Sequence, residues 1–364
     1  MAQVARILLF KQGLALLFAD LKILPLFKDR DMKVFPIKIA TRQHTLSREV
    51  SFSGIGLHSG LPIAMVVKSA PVNSGIRFVR TDLDVEIPAL MNRVVDTTLA
   101  TTIGEGEAMV STTEHLLAAL SGLGIDNAIV EIDGPEVPIM DGSAGPFVHL
   151  LNRTDRRSQE ASRRMIKITR ELSCDNGDST IRVRPHAGFR VSCEIDFAHP
   201  LIRCQRYSME VTPKRFVKEI APARTFGFVE QVERLRANGL ALGGSLANAV
   251  VMDHSGVLNS EGLRFSDEFV RHKVLDLIGD LALMGCPILG HVIASKPGHG
   301  LHLSLMKELA AHPECWEFVL MEEAEEEGVF GRVVTSTVGA GNLILPFLVP
   351  ARQQLAGSPN MRGS

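Results

Sequence analysis

The sequence has little net charge, no CxxC cysteine pair and no dinucleotide-binding glycine pattern, and each absence excludes a class of protein. The formal net charge is −2, so there is no broad basic field, and nucleic acid is not expected as a partner. The five cysteines are odd in number, which indicates reduced thiols in a cytoplasmic protein. The glycine-rich segment at 54–60 lacks GxGxxG spacing and is followed by a strand pattern, which excludes a dinucleotide fingerprint.

Long apolar runs are also missing, and the nearest approach to one is at the N-terminus. Two apolar stretches, at 7–10 and 14–18, are interrupted by Lys11 and followed by Asp20. The segment is too short to cross a bilayer and has no clean cleavage site, so stable membrane insertion is not expected. A helix lying on a membrane surface is one alternative. The interpretation we favour is that residues 1–31 are an upstream extension or an over-long start of translation.

What is present is ordinary globular material. The chain has 364 residues, of which 45% are hydrophobic and 22% charged, and this is enough for two domains with substantial cores. Short β-type runs alternate with helical segments, which predicts an α+β fold. The predicted strands lie at 48–52, 62–67, 128–132, 166–172, 180–184, 189–197 and 288–294, and the predicted helices lie at 116–123, at 213–220 and around His272.

The domain organisation is predicted from a polar, basic run that interrupts the apolar pattern. In each half, a histidine-bearing helix ends near a glycine, Gly124 or Gly285, and leads into a β-branched strand. This indicates a loose internal duplication, with chance similarity as the alternative. The predicted division is an N-terminal extension at 1–43, a first α+β domain at 44–152, a linker at 153–165, a second α+β domain at 166–347 and a C-terminal tail at 348–364.

One helix in the second half carries a polar face within a strongly apolar sequence. His272 and Asp276 are four residues apart, and Asp280 follows after four more, so that their side chains lie on one side of an α-helix. Lys273 falls in the same sector. Because the opposite side is apolar, we expect the helix to be surrounded by protein, with its polar sector facing a cavity.

A second candidate segment lies upstream, in the first turn of another short predicted helix. Its Glu114 and His115 follow Ser111 at close spacing. Together the two helices supply two histidines and an aspartate, which is the ligand number of a catalytic zinc site, and Glu114 remains to handle protons. Two other interpretations stay open at this point: Ser111 and Glu114 also match a capping box, and a polar helix stripe is commonly a solvated face.

Six segments in register also resemble a known family. They are GIGLHSG at 54–60, STTEHL at 111–116, PIMDGSA at 138–144, ARTFGF at 223–228, GLALGGS at 239–245 and FVRHKxxDxxGDL at 269–281. Each is modest alone, but the ordered set resembles the UDP-3-O-acyl-N-acetylglucosamine deacetylases, the zinc amidases of lipid A synthesis. The resemblance covers about residues 44–346.

The resemblance implies two topologically similar α+β domains, each a sheet layer packed on a helix layer, with the active site between them. It implies that His115, His272 and Asp276 bind Zn²⁺ and that Glu114 is the general base. The substrate would be a small molecule, an acylated UDP-amino sugar, whose N-acetyl group is hydrolysed to acetate and a free amine as the committed step of lipid A biosynthesis. We expect this to take place in the cytoplasm, in a monomeric enzyme.

Further roles follow from the resemblance. It implies that His299 steadies the oxyanion or protonates the leaving amine and that Thr225 supplies a hydroxyl on the oxyanion side. Asp280 lies in the metal-facing sector of its helix, and we expect its negative charge to hold His299 cationic. The residues that the resemblance implies for substrate contact are Lys273, Lys296, Phe197 and Phe226. In the family, an inserted β-α-β unit in the second domain usually supplies the acyl passage, and we expect this passage at 285–303 and the helix that precedes it. His302 and Leu303 depart from the family, since many members have asparagines just after the catalytic histidine segment.

Several alternatives remain open on the sequence alone. His58, His199 and His302 are interpreted as structural histidines, and Asp141 as a turn aspartate that bonds its own backbone. A zinc amidohydrolase acting on a different acylated amino sugar would keep the same metal ligands. A silent lipid- or nucleotide-binding homologue would be expected to have lost Glu114 or a ligand, so the intact set argues against it.

Overall fold

The structure, a computed structural model, describes residues 40–323 and the strand at 331–335. The apolar stretches at 7–18 and the predicted tail at 348–364 lie outside these residues. The helices are α1 Glu114–Leu123, α2 Gly145–Leu151, α3 Pro213–Arg215, α4 Val229–Ala237, α5 Glu268–Leu281 and α6 His299–Ala311. A π-helix, Phe216–Ile220, continues α3, and short 3₁₀ helices lie at Met91–Arg93, Ala282–Met284 and Pro313–Cys315. None of the described helices is long and apolar enough to span a membrane.

The strands account for most of the remaining chain. They are β1 Arg42–Leu46, β2 Val50–Ile55, β3 Pro62–Ser69, β4 Ile76–Arg80, β5 Val85–Pro88, β6 Val94–Asp96, β7 Thr102–Glu105, β8 Ala108–Val110, β9 Ala128–Ile132, β10 Arg156–Ile168, β11 Leu172–Asn176, β12 Ser179–Arg184, β13 Phe189–Phe197, β14 Arg203–Glu210, β15 Phe226–Phe228, β16 Val250–Met252, β17 Ile288–Ser295, β18 Trp316–Glu323 and β19 Gly331–Thr335.

The first half contains a five-stranded sheet with the order β2-β3-β9-β4-β5. In β3, Ile63, Met65 and Val67 are buried, whereas Ala64 between them is exposed. This alternation is the two-residue period of a strand with one face on the core. Strand β9 is antiparallel to β3 and parallel to β4.

The same arrangement recurs in the second half. There β11 pairs with β12, β12 with β17, β17 with β13 and β13 with β14. Strand β17 is antiparallel to β12 and parallel to β13, as β9 is to its two neighbours. Helix α1 precedes β9, and α5 precedes β17. The α+β fold class is therefore confirmed, and the repeated topology agrees with the internal duplication inferred from the sequence.

The segment predicted as a linker, 153–165, is mostly regular structure. Strand β10 begins at Arg156 and pairs with β1 and β18 in antiparallel fashion and with β17 in parallel. Its first residues are polar and exposed, which is why hydrophobic periodicity does not reveal it. The domain boundaries themselves stay a prediction.

A β-α-β unit lies at 226–252, where β15 and β16 pair in parallel and α4 connects them. It is not near 285–303, where the chain instead forms β17 and α6. Two strands of three residues each are too short to give a recognisable period, and α4 has no buried residue.

Helices α1 and α5 pack closely enough that only glycine fits at their contact. A Cβ atom added to Gly279 in α5 would lie 2.0 Å from the carbonyl oxygen of Glu114. Since real Cβ contacts are never that short, the absence of a side chain at Gly279 lets the first turn of α1 rest on α5. This contact brings the two predicted ligand segments together.

Candidate metal centre

The side chains of His115, His272 and Asp276 converge, although the chain between the first two is long. Their donor atoms all lie within 4.8 Å of one another. Asp276 Oδ1 is 3.6 Å from His115 Nε2 and 3.3 Å from His272 Nε2. All three residues are buried. Two imidazoles and one carboxylate oxygen therefore face a common point.

Hydrogen bonds fix which atoms face that point. His272 Nδ1 lies 3.1 Å from the carbonyl oxygen of Ala223, so Nδ1 carries the proton and Nε2 presents its lone pair. Burial lowers the pKa of His272 to about 3, which keeps the ring neutral. The Oδ2 atom of Asp276 accepts a hydrogen bond from Lys273 Nζ at 2.7 Å, so its Oδ1 atom is the one that faces the two histidines.

This donor set fits a divalent cation. Metal binding requires neutral imidazoles and an ionised carboxylate. Burial alone would raise the pKa of Asp276, but the positive charges facing it, including Lys273, hold that pKa well below its ordinary value. The backbone carbonyl behind His272 is the kind of outer partner that orients ligating histidines. The described residues thus contain a group able to hold one metal ion.

Glu114 lies beside these three residues, and its carboxylate lines the same cavity. Its Oε2 accepts a hydrogen bond from the backbone N–H of Thr101 at 3.0 Å. Burial raises the pKa of Glu114, which makes the carboxylate a better proton acceptor. The capping-box interpretation is wrong, because the helix is preceded by Thr113 without a side-chain cap, and the Ser111 hydroxyl instead accepts from Thr102.

His299 and Asp280 form a charged pair close to Glu114. His299 begins α6, and its Nδ1 lies 2.7 Å from Asp280 Oδ2. Burial would lower the pKa of His299, but the Asp280 carboxylate outweighs it and raises that pKa to about 9. His299 Nε2 points towards Glu114, 4.0 Å from Oε1. A cationic imidazole therefore lies close to the Glu114 carboxylate.

One cavity collects most of the predicted residues. Its lining consists of Leu57, His58, Leu99, Ala100, Thr112, Glu114, His115, Ile139, Thr225, His272, Lys273, Asp276 and His299. Asp280 is buried behind His299 and lies outside this lining. The roles assigned to these side chains stay predictions.

Three predicted substrate residues lie beside the cavity rather than on its lining. The Phe226 ring is 6.3 Å from that of His272, and the Phe197 ring is 5.6 Å from that of Phe226. Lys296 Nζ is 3.4 Å from Asp196 Oδ2. The backbone of Lys296 has a positive φ of 51°, a conformation that is enriched at functional sites.

Several residues of the site carry no signal in the sequence. Thr101 donates its backbone N–H to Glu114 and its hydroxyl to Asp280. His302, interpreted as structural from the sequence, lies with its Nδ1 atom 2.6 Å from Asp280 Oδ2.

The interpretations of His199 and Asp141 agree with their contacts. The His199 ring bonds the backbone carbonyl of Asp253, and the Asp141 carboxylate accepts hydrogen bonds from Ser143, two residues further on.

One family of known proteins matches the segments that build this site. A model of the LpxC family, described as UDP-3-O-acyl N-acetylglycosamine deacetylase, matches residues 43–311. The chain belongs to this family. The match confirms the resemblance carried by the six sequence segments, and it spans both ligand helices.

Individual LpxC relatives are similar over nearly their whole length. The UDP-3-O-acyl-N-acetylglucosamine deacetylase of Myxococcus xanthus (strain DK1622) is 50% identical over 289 residues, which is 79% of this chain and 92% of that protein. The protein of the same name from Anaeromyxobacter sp. (strain Fw109-5) is 50% identical over 277 residues, 76% of this chain and 91% of that protein. The protein of this name from Shewanella pealeana (strain ATCC 700345 / ANG-SQ1) is 47% identical over 303 residues, which is 82% of this chain and 99% of that protein.

Proposed function

We propose that this protein hydrolyses the N-acetyl group of UDP-3-O-(3-hydroxyacyl)-N-acetylglucosamine to acetate and the free amine, in the lipid A pathway, with zinc as its metal. The observation that carries the proposal is the convergence of His115, His272 and Asp276 on one point beside the buried carboxylate of Glu114. Membership in the LpxC family and relatives named as this deacetylase support the substrate. We further propose that the protein works in the cytoplasm, which the free cysteines support, and that it is a monomer.

Zinc is supported by the donor types, since two imidazoles and a carboxylate are common ligands of a catalytic zinc ion. When bound, the metal supplies Lewis-acid polarisation of the amide carbonyl and lowers the pKa of water towards neutrality. His115, His272 and Asp276 hold the ion, and Ala223 and Lys273 keep two of these ligands in orientation.

Glu114 then acts as the general base. Its carboxylate is buried, its pKa is raised, and Thr101 fixes one of its oxygens. The other oxygen faces the cavity and can take a proton from the attacking water. After attack, the same proton is available for the leaving nitrogen.

His299 acts on the negative charge that develops in the transition state. With a pKa of about 9 it is cationic at neutral pH, and it can donate from Nε2 to the oxyanion or to the departing nitrogen. Thr225 lines the same cavity. Its position is fixed by its backbone N–H, which donates to the carbonyl oxygen of Gly142 at 2.7 Å. We assign it a hydrogen bond to the oxyanion.

Substrate contacts extend from the cavity along the aromatic residues beside it. The ammonium of Lys273 lies 5.8 Å from the Phe226 ring centre and is available to polar groups of the sugar. We assign Phe197 to the uracil of the substrate, Phe226 to a further substrate contact, and Lys296 to a phosphate. The domain division at 153–165 would place this site between two halves of like topology.

Acetate release from the acylated nucleotide sugar tests the function directly. The metal-loaded enzyme should release acetate, lose turnover after treatment with a chelator, and regain it with zinc. An N-acetylated amino sugar without the nucleotide serves as the comparison substrate. If turnover is retained with that sugar and absent with the nucleotide sugar, the alternative amidohydrolase is supported and our proposal is wrong.

A further inference from the structure

Asp280 is shared by three donors, of which only His299 takes part in the proposed reaction. Its Oδ1 accepts from the Thr101 hydroxyl at 2.6 Å. Its Oδ2 lies 2.7 Å from His299 Nδ1 and 2.6 Å from His302 Nδ1. His302 follows His299 by three residues on α6, which places both imidazoles on one side of the helix. One carboxylate oxygen therefore bonds two imidazoles.

The surroundings of His302 define its protonation state. Burial would raise the pKa of Asp280, but the two histidines outweigh it and lower that pKa to about 2. The carboxylate therefore only accepts hydrogen bonds, and His302 Nδ1 must carry a proton. His302 is fully buried, and its Nε2 has no hydrogen-bond partner within residues 40–323. A second proton would leave a charged N–H buried without an acceptor, so His302 is a neutral donor with a bare Nε2.

We propose that His302 is a positioning residue for His299: by donating to the same oxygen of Asp280, it fixes the carboxylate and divides its charge between two imidazoles. The inference rests on the proposed role of His299 in deacetylation. An apolar residue would fill the same space without burying an unpaired ring nitrogen, which is unfavourable. The bond that His302 makes to Asp280 gives a reason for an imidazole at this position.

The charged and titratable groups around His299 come from three helices. Asp280 and Asp276 face it from α5, Glu114 from α1, and His302 from its own helix, α6. Removing the His302 donor leaves the full charge of Asp280 on His299. His299 should then hold its proton more tightly, because a hydrogen bond to a charged group is comparable in strength to about one pKa unit.

Nuclear magnetic resonance of the histidine rings tests this without turnover. In the unaltered full chain, ¹⁵N shifts should show His302 protonated at Nδ1 and bare at Nε2 at neutral pH. Protonation at Nε2 would overturn the proposal whatever the activity. Absence of acetate release with the predicted tautomer present would instead count against the proposed function alone.

Substitutions test the consequence for His299. In His302→Leu the basic limb of the kcat/KM profile and the ring titration of His299 should both move to higher pH, by roughly one unit. His302→Asn keeps an N–H donor and should lie closer to the unaltered enzyme. His312→Leu, at the exposed end of α6, is the matched control and should shift neither. Folding of each variant is checked by circular dichroism.

Two results would overturn the proposal. One is an unchanged His299 titration in folded His302→Leu. The other is an equal loss of activity in His302→Leu and His302→Asn at every pH, since this would mean that His302 only fills space. If His302→Leu does not fold, the His302→Asn variant and the tautomer of the unaltered chain still decide the question.

Discussion

Replacing Asp280 with asparagine should move the basic limb of the kcat/KM profile to lower pH. A packing defect would not produce this shift. The asparagine side chain has the same shape as that of aspartate, so its oxygen can still accept from the two histidines. What is lost is the negative charge. Burial of His299, the largest influence on its pKa and one that lowers it, is then unopposed by Asp280.

The size of the expected loss in kcat/KM follows from the fraction of His299 that is protonated. With a pKa of about 9, the ring is about 97% protonated at about pH 7.5. With the ordinary value of 6.5 or below, it is about 9% protonated or less at that pH. Loss of the cationic form alone should therefore reduce kcat/KM at least about tenfold at this pH, and the loss should shrink as the pH falls.

The assay is kcat/KM against pH for the unaltered enzyme and for Asp280→Asn. Since the pKa of His299 is raised, its protonated form is present below that pKa and lost above it, so activity should fall on the basic side. The basic limb should move to lower pH by about two units or more in the variant. A bound metal cation lowers the pKa of His299 in both proteins, so the test is the difference between their two basic limbs.

The control is Asp82→Asn, which removes a carboxylate paired with Arg80 on the surface. It should leave the profile unchanged. If Asp280→Asn loses the same share of activity at every pH and its basic limb does not move, Asp280 does not hold His299 cationic.

Three further predictions concern Glu114, the helix contact and a buried ion pair. Glu114→Ala should keep one equivalent of zinc by metal analysis while kcat falls by about 10²–10⁴, because proton transfer is lost and the ligands remain; loss of zinc would identify Glu114 as a ligand. Gly279→Ala should weaken zinc binding by roughly tenfold or more in a chelator competition, because the new Cβ pushes α1 away from α5; unchanged affinity would contradict the close-packing argument. Arg224→Met leaves Glu268 buried without its partner, and should lower the free energy of unfolding in urea by about 3–5 kcal/mol; a change near zero would show that the pair is not needed.

The sequence predicts the two histidines and the aspartate that converge in the structure, because two of these three residues lie on one helix. The i, i+4 spacing of His272 and Asp276 marks a helix face, and burial of both sides of α5 agrees with the expected cavity. That His115 joins them was an inference from the ligand inventory and the family resemblance. Without the three-dimensional contact at Gly279, no local pattern brings the two helices together.

Other parts of the site could not be predicted, since they depend on contacts between remote segments. Thr101 is an ordinary threonine in the sequence, yet its hydroxyl bonds a carboxylate 179 positions away. His302 was interpreted as structural because an isolated histidine is usually so. The sequence predicts a linker where β10 lies, because the exposed polar start of this strand gives no sign of its partners β1 and β18, which lie far along the chain on either side.

X-ray absorption at the zinc edge of the purified full chain shows whether His115, His272 and Asp276 hold one zinc ion. We predict two imidazole nitrogens at about 2.0–2.1 Å with the remaining ligands oxygen. A sulfur ligand at about 2.3 Å, or a spectrum with a single imidazole, would rule out this set of three ligands.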